Sequence, residues 1–170
     1  MYSKISFFLA LVTALIFFSS CNTKKVMTGS LPNLTFKTDQ GESINLSSLK
    51  NKVTLLAFWA TWCGPCIAEI PELTGLVLDL DTTKFRVISI VVDDPNGEKS
   101  KIIKQNYGIN YPILFAPNED VYSAFGGIRA LPTSFIVSPE GKYLDKIEGL
   151  MPPGYLKEKL SSLIKDTFEP

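Results

Sequence analysis

The stretch Val53-Thr54-Leu55-Leu56-Ala57-Phe58-Trp59-Ala60, followed at once by Thr61-Trp62-Cys63-Gly64-Pro65-Cys66, decides how this chain folds. Val53 to Ala60 is almost wholly apolar and rich in β-prone residues, the pattern of a strand buried on both faces. From Pro65 to Leu80 the period changes. Ile67, Ile70, Leu73, Leu76, Val77 and Leu80 recur at helical spacing. Pro65 falls in the first turn, where a helix tolerates proline. Pro71 falls inside the helix and predicts a kink. Two cysteines therefore straddle a strand-to-helix junction.

Outward from this junction, the downstream chain continues the alternation. Phe85 to Val92 reads as a second buried strand, Gly97 to Tyr107 as an amphipathic helix ending at Gly108, Tyr111 to Phe115 as a short strand and Glu119 to Phe125 as a short helix. Thr133 to Val137 and Tyr143 to Ile147 are strands joined by the turn residues Pro139-Glu140-Gly141. Pro153 to Ile164 closes the chain as a helix. Upstream, Leu34-Thr35-Phe36 and Ser43-Ile44-Asn45-Leu46 flank Asp39-Gln40-Gly41-Glu42, which predicts a hairpin. The order is β-β, then β-α-β-α-β-α, then β-β-α. Such alternation predicts an α/β domain with a parallel core covered by helices on both faces, extended by antiparallel strands.

The N-terminal residues read differently. Lys4 precedes an apolar run from Ile5 to Phe18, broken only by Ser6 and Thr13. The run falls short of the roughly 20 residues of a membrane span and suits a signal-peptide core. Ser19-Ser20-Cys21 then resembles a bacterial lipobox, which makes residues 1–20 a signal peptide and Cys21 a lipidation site. The lipobox pattern prefers Leu three residues before the cysteine, where this chain has Phe18, so ordinary cleavage and an uncleaved anchor remain open readings. Residues 21–30 are polar and read as a tether, which leaves 31–170 as one domain.

Composition narrows the chemistry. Seventeen basic residues balance seventeen acidic ones, so nothing points to nucleic acid. Histidine is absent, which removes Ser-His and Cys-His catalysis and most zinc sites. Of three cysteines, Cys21 is assigned to the lipid. Cys63 and Cys66 close too short a loop to act as a useful staple, and zinc would need ligands the chain lacks. Haem attachment would need histidine where Ile67 stands.

Redox exchange fits the pair. The unpaired N–H groups and partial positive charge of a helix N-terminus favour thiolate at Cys63. Cys66, three residues on, shares its face. Cys63 is therefore expected to be exposed and nucleophilic, and Cys66 to resolve the mixed disulfide. Neither a cofactor nor a metal is called for. Trp62 is expected to shield the site and offer partners a flat apolar contact, and Trp59 to pack in the core. Asp93-Asp94 reads as a solvated turn.

Phe58-Trp59-Ala60-Thr61-Trp62-Cys63-Gly64-Pro65-Cys66 resembles the active-site segment of thioredoxins, and Ala130-Leu131-Pro132-Thr133-Ser134-Phe135 resembles their cis-proline loop. The N-terminal hairpin, Glu69-Ile70-Pro71 and the added helix near 97–107 are similar to the exported, membrane-tethered TlpA/ResA branch, and the likeness runs from Leu31 to about Leu163. It implies a thioredoxin-like fold with a mixed central sheet, an N-terminal β-hairpin extension and an inserted helix. It implies a cis peptide at Leu131–Pro132 beside the cysteines, with the Leu131 backbone pairing with substrate, and a substrate contact formed by Trp62, Gly64, Pro65, Leu131 and Pro132. Thioredoxins carry a buried aspartate at the position of Ala57. In the TlpA/ResA branch a glutamate three residues after the second cysteine looks like its replacement, which assigns Glu69 to proton exchange with Cys66.

The resemblance further implies a reductant of exported proteins carrying disulfides, such as apocytochrome c. It would be lipid-anchored on the periplasmic side of the cell envelope and recharged by a membrane thiol-transfer protein of the DsbD/CcdA type. Two alternatives stand beside it. A peroxiredoxin-like thiol peroxidase would need Pro-x-x-x-Thr-x-x-Cys, which Trp59-Ala60-Thr61-Trp62 before Cys63 does not supply. A tethered thioredoxin-fold binding module would not need both cysteines.

Overall fold

The computed structural model describes residues 29–118 and 120–169. The segment read as a signal peptide, Cys21 and the expected tether as far as residue 28 lie outside them. Seven strands form one mixed sheet: β1 (Thr35–Thr38), β2 (Ser43–Asn45), β3 (Val53–Trp59), β4 (Phe85–Val91), β5 (Ile113–Phe115), β6 (Thr133–Val137) and β7 (Tyr143–Glu148). Their spatial order is β2-β1-β5-β4-β3-β6-β7. Only β3, β4 and β5 run parallel; β6, β7 and the N-terminal hairpin are antiparallel to their neighbours. Four helices cover the sheet: α1 (Gly64–Asp79), α2 (Glu98–Tyr107), α3 (Asp120–Ala124) and α4 (Tyr155–Phe168).

The apolar run at Val53 becomes the centre of the sheet for a simple reason. β3 lies between β4 and β6, and every one of its residues is buried. Alternate side chains serve two cores. Val53, Leu55, Ala57 and Trp59 join Ile70, Leu73 and Leu76 of α1 and Leu156, Leu160 and Ile164 of α4. Leu56 and Phe58 join Phe36, Leu46, Val121, Phe125 and Phe135 on the opposite face. Burying each such large side chain contributes about 1.5–3 kcal/mol, so α1 is held to the sheet by Ile70, Leu73 and Leu76. It continues unbroken past Pro71, whose missing N–H leaves the Ile67 carbonyl without its helical partner.

The inserted helix α2 is held at both ends. Asp94 caps it, its Oδ1 accepting the Glu98 N–H at 3.1 Å and its Oδ2 the Ser100 N–H at 2.7 Å. Gly97 precedes it at φ 73, where a Cβ would stand 2.3 Å from the Phe115 ring, so only glycine fits. Gly108 ends it in the left-handed region. Lys104 pairs with Asp39 of the hairpin. Backbone pairing also reaches upstream of Leu31. Gly29 and Ser30, assigned to the tether on composition, already pair with Tyr143 and Lys142, because the β6–β7 turn offers them unpaired backbone. Among the described residues no helix is long and apolar enough to cross a membrane.

Candidate active site

Cys63 is the N-cap of α1, in extended conformation at φ −82 and ψ 97. Extended backbone is what an N-cap requires, and here sulfur takes the place usually filled by a serine or aspartate oxygen. Cys63 Sγ accepts the Cys66 N–H at 3.3 Å. The two sulfurs are joined as a disulfide, with 5.2 Å between the Cα atoms. Gly64 and Pro65 occupy the exposed tip between them.

The expected exposure of Cys63 is corrected. Both cysteines are only 3% exposed. The disulfide draws the Cys63 sulfur inward over the helix tip, into the cluster that holds Trp59 and Ala60. Trp59 is in the core as expected, whereas Trp62 stands 74% exposed and is free to act as a contact rather than a cover.

Asp93 and Asp94, expected to form a solvated turn, are both hydrogen-bonded within the fold instead. Asp93 at the end of β4 fastens the loop that leads into the cysteines. Its Oδ1 accepts the Thr61 N–H at 2.9 Å and its Oδ2 the Thr61 hydroxyl at 2.6 Å. Charge-assisted bonds of this kind are stronger than neutral ones. Nothing in two adjacent carboxylates signals a partner more than thirty positions away. The one available cue was that β3 and β4 are both buried parallel strands, which places their C-terminal loops side by side.

Leu131–Pro132 is cis. Phe58 pairs with Thr133 across β3 and β6, so the cis-proline loop abuts the residues entering α1. The Thr133 hydroxyl donates to the Ala130 carbonyl at 2.7 Å, and the Pro132 carbonyl accepts the Gly149 N–H at 2.8 Å. Among the described residues, neither the N–H nor the C=O of Leu131 is paired, which leaves a free backbone edge. Trp62, Tyr122, Ile128, Arg129, Ala130 and Leu131 line a concavity of about 210 Å³ there. A second concavity, about 620 Å³, lies between Pro71 and Leu76 of α1 and Leu150 and Met151. Glu72 lines it and accepts the N–H groups of Gly154 and Leu156 at the start of α4.

Glu69 follows Cys66 by one turn of α1 and is only 4% exposed. It makes no hydrogen bond or ion pair among the described residues. Burial, reinforced by the Glu72 carboxylate, pushes its carboxyl up to about 7. Tyr111 is buried in the cysteine-containing core. Burial and, second, the charge of Glu69 push its phenol far above the usual range. The structure thus gathers Trp62, Cys63, Gly64, Pro65, Cys66 and Glu69 on one helix start and sets Leu131 and Pro132 beside them. Tyr111, Asp93 and Arg129 are the neighbours that sequence reasoning missed.

A buried disulfide centre at a helix N-terminus, beside a free backbone edge, suits disulfide exchange with an extended polypeptide. A family profile described as the AhpC/TSA family matches residues 27–144. The thiol-disulfide oxidoreductase ResA of Bacillus subtilis (strain 168) is 30% identical over 134 residues, covering 79% of this chain and 73% of the relative. The chain belongs to the ResA-like thiol–disulfide oxidoreductases of the AhpC/TSA family. A thiol:disulfide interchange protein of the thioredoxin family from Chlorobium tepidum TLS superposes with a TM-score of 0.70 at 26% identity, covering 81% of this chain and 97% of that one. A thiol:disulfide interchange protein from a Bacteroides species gives a TM-score of 0.72 at 20% identity, covering 84% and 93%. The fold is thioredoxin-like, and the protein is a thiol–disulfide oxidoreductase.

Proposed function

We propose that this ResA-like oxidoreductase reduces disulfides of exported proteins, apocytochrome c among them, from a lipid anchor at Cys21 on the periplasmic side of the cell envelope. The observation that carries the disulfide-exchange reading is the Cys63 sulfur at the α1 N-terminus. There the Cys66 N–H and the helix dipole favour a thiolate in the reduced protein. Cys63 attacks the substrate disulfide, and one substrate sulfur leaves with the electron pair. Cys66 then gives up its proton, attacks Cys63, and releases the second substrate thiolate. Glu69, which is buried, receives that proton. Leu131 holds the substrate strand through its free backbone, with Trp62, Gly64, Pro65 and Pro132 in contact. A membrane thiol-transfer protein of the DsbD/CcdA type returns the electrons, since an oxidising compartment leaves the pair oxidised otherwise.

Redox equilibration with glutathione tests the direction: a Cys63–Cys66 potential near the reducing end of the family supports a reductant, and a strongly oxidising potential overturns it. A Cys66→Ser variant expressed in cells is expected to accumulate mixed disulfides through Cys63 with envelope proteins. Rapid turnover of hydrogen peroxide by the wild type would instead favour the peroxidase reading.

A further inference from the structure

Arg129 stands at the cis-proline loop with no counter-charge among the described residues. It lines the concavity of about 210 Å³ together with Trp62, Tyr122, Ile128, Ala130 and Leu131. Trp62 immediately precedes Cys63. Leu131 packs against the core cluster that holds Cys63 and Cys66. A substrate chain bonded to Cys63 and paired with the Leu131 backbone therefore lies along this concavity. Small-molecule pockets measure roughly 300–1,000 Å³. This one is smaller and suits a side chain of a passing polypeptide.

Of the lining residues, Arg129 alone carries a charge. It is exposed, and among the described residues its guanidinium makes no hydrogen bond or ion pair. The charges nearby are already matched. Lys146 and Glu148 on β7 pair with each other at 2.7 Å, and Lys146 also donates to the Gly127 carbonyl at 3.1 Å. Asp120 of α3 lines a different concavity, with Pro117 and Val121. The chain as a whole has seventeen basic and seventeen acidic residues, so no net charge of the protein decides what approaches the site. The local cation does. A guanidinium presents a planar fork that binds a carboxylate through two parallel N–H···O bonds. Trp62, Tyr122 and Ile128 make the rest of the wall aromatic or apolar, which lowers the local dielectric and strengthens such a pair.

We propose that Arg129 is a specificity residue that receives an acidic side chain close to the partner's reacting cysteine, so that polypeptides with Asp or Glu there exchange disulfides with Cys63 fastest. The inference rests on the reading of the Leu131 edge as the seat of the substrate strand. A strand advances about 3.3 Å per residue, so the residues within about two of the reacting cysteine are the ones that reach the concavity beside Trp62. Backbone pairing at Leu131 accepts almost any sequence. Arg129 adds the discrimination that backbone pairing lacks. A basic side chain at the same place sets like charges side by side and slows the encounter.

The test mixes the full-length protein, reduced at Cys63 and Cys66, with peptide disulfides identical except for Glu, Gln or Lys one or two places to either side of the reacting cysteine. The readout is the ratio of second-order exchange rate constants for the Glu and Lys peptides, which a shared loss of folded protein leaves unmoved. The wild type is expected to favour Glu by about 3- to 10-fold, with the preference shrinking as salt is added. Arg129→Gln is expected to bring the ratio close to one, Arg129→Glu to reverse it, and Arg129→Lys to keep part of it. Equal rates on the Glu and Lys peptides at every position, or a Glu preference that survives Arg129→Gln, overturns the inference and leaves disulfide exchange at Cys63 intact. Failure to reduce any of the peptides overturns the exchange reading itself, and the inference with it.

Discussion

The two faces of the sheet are made by alternate residues of the same strands, yet they differ sharply in what they bury. Under α3, Phe58, Phe125, Phe135 and Tyr143 form an aromatic cluster with ring centroids 4.7 to 6.3 Å apart, an arrangement that adds to simple area burial. Under α1, the core holds a disulfide, the buried Glu69 carboxyl and two serine hydroxyls that have no hydrogen-bond partner among the described residues. One face maximises packing. The other gives up packing energy to place groups that change proton or redox state, and such groups are costly to bury. Stability and chemistry are thus separated across about the thickness of one strand, which allows each to be perturbed without the other.

The largest expected effect is on the chemical face. Cys63→Ser should abolish disulfide reductase activity while leaving the urea midpoint close to that of the reduced wild type; retained turnover would remove Cys63 as the attacking group. Phe135→Ala should do the reverse. Its ring is fully buried among three aromatic neighbours, and its loss should cost about 3–5 kcal/mol by denaturant unfolding, with exchange chemistry persisting in the fraction that remains folded.

Glu69 should make stability depend on pH on the chemical face alone. Its folded carboxyl sits at about 7 against an ordinary 4.5. The folded form therefore binds the proton more tightly than the unfolded chain does. Its stability is fully present below about pH 4.5 and is lost as pH rises through about 7, by about 3 kcal/mol in all. Glu69→Gln should flatten that slope in the oxidised protein, as measured by unfolding at pH 4, 6 and 8. An identical slope in the variant would mean that Glu69 is ordinarily solvated. The smallest effect belongs to the clasp between the segments that follow β3 and β4. Asp93→Ala should cost about 1–2 kcal/mol and quicken hydrogen exchange at the Thr61 amide, with little change elsewhere.

Much of this is legible in the sequence. The order of strands and helices follows from continuous apolar runs at β3 and β4 and from the helical period that begins at Pro65, because burial on both faces and burial on one stripe leave different spacings. The cysteine pair, Glu69 and the cis-proline loop were read from motif resemblance and spacing. The burial of Cys63 was not, because it depends on the disulfide turning the sulfur inward. Asp93 and Asp94 looked solvated because their partners, Thr61 and the first turn of α2, are brought to them by folding. Ser89 and Ser134 read as ordinary strand residues. Only the register shows that both flank Ala57.

Thioredoxins place their buried acid on the strand that Ala57 occupies here, whereas this chain places its carboxyl at Glu69, on the helix. The proposed nucleophile, resolving thiol and acid thus fall in one contiguous stretch, Cys63 to Glu69. The central strand is left free of charge, so the sheet need not be remodelled when the chemistry is tuned. The centre becomes a transplantable cassette: another thioredoxin-like scaffold would have to offer only a small residue at the strand position beneath it.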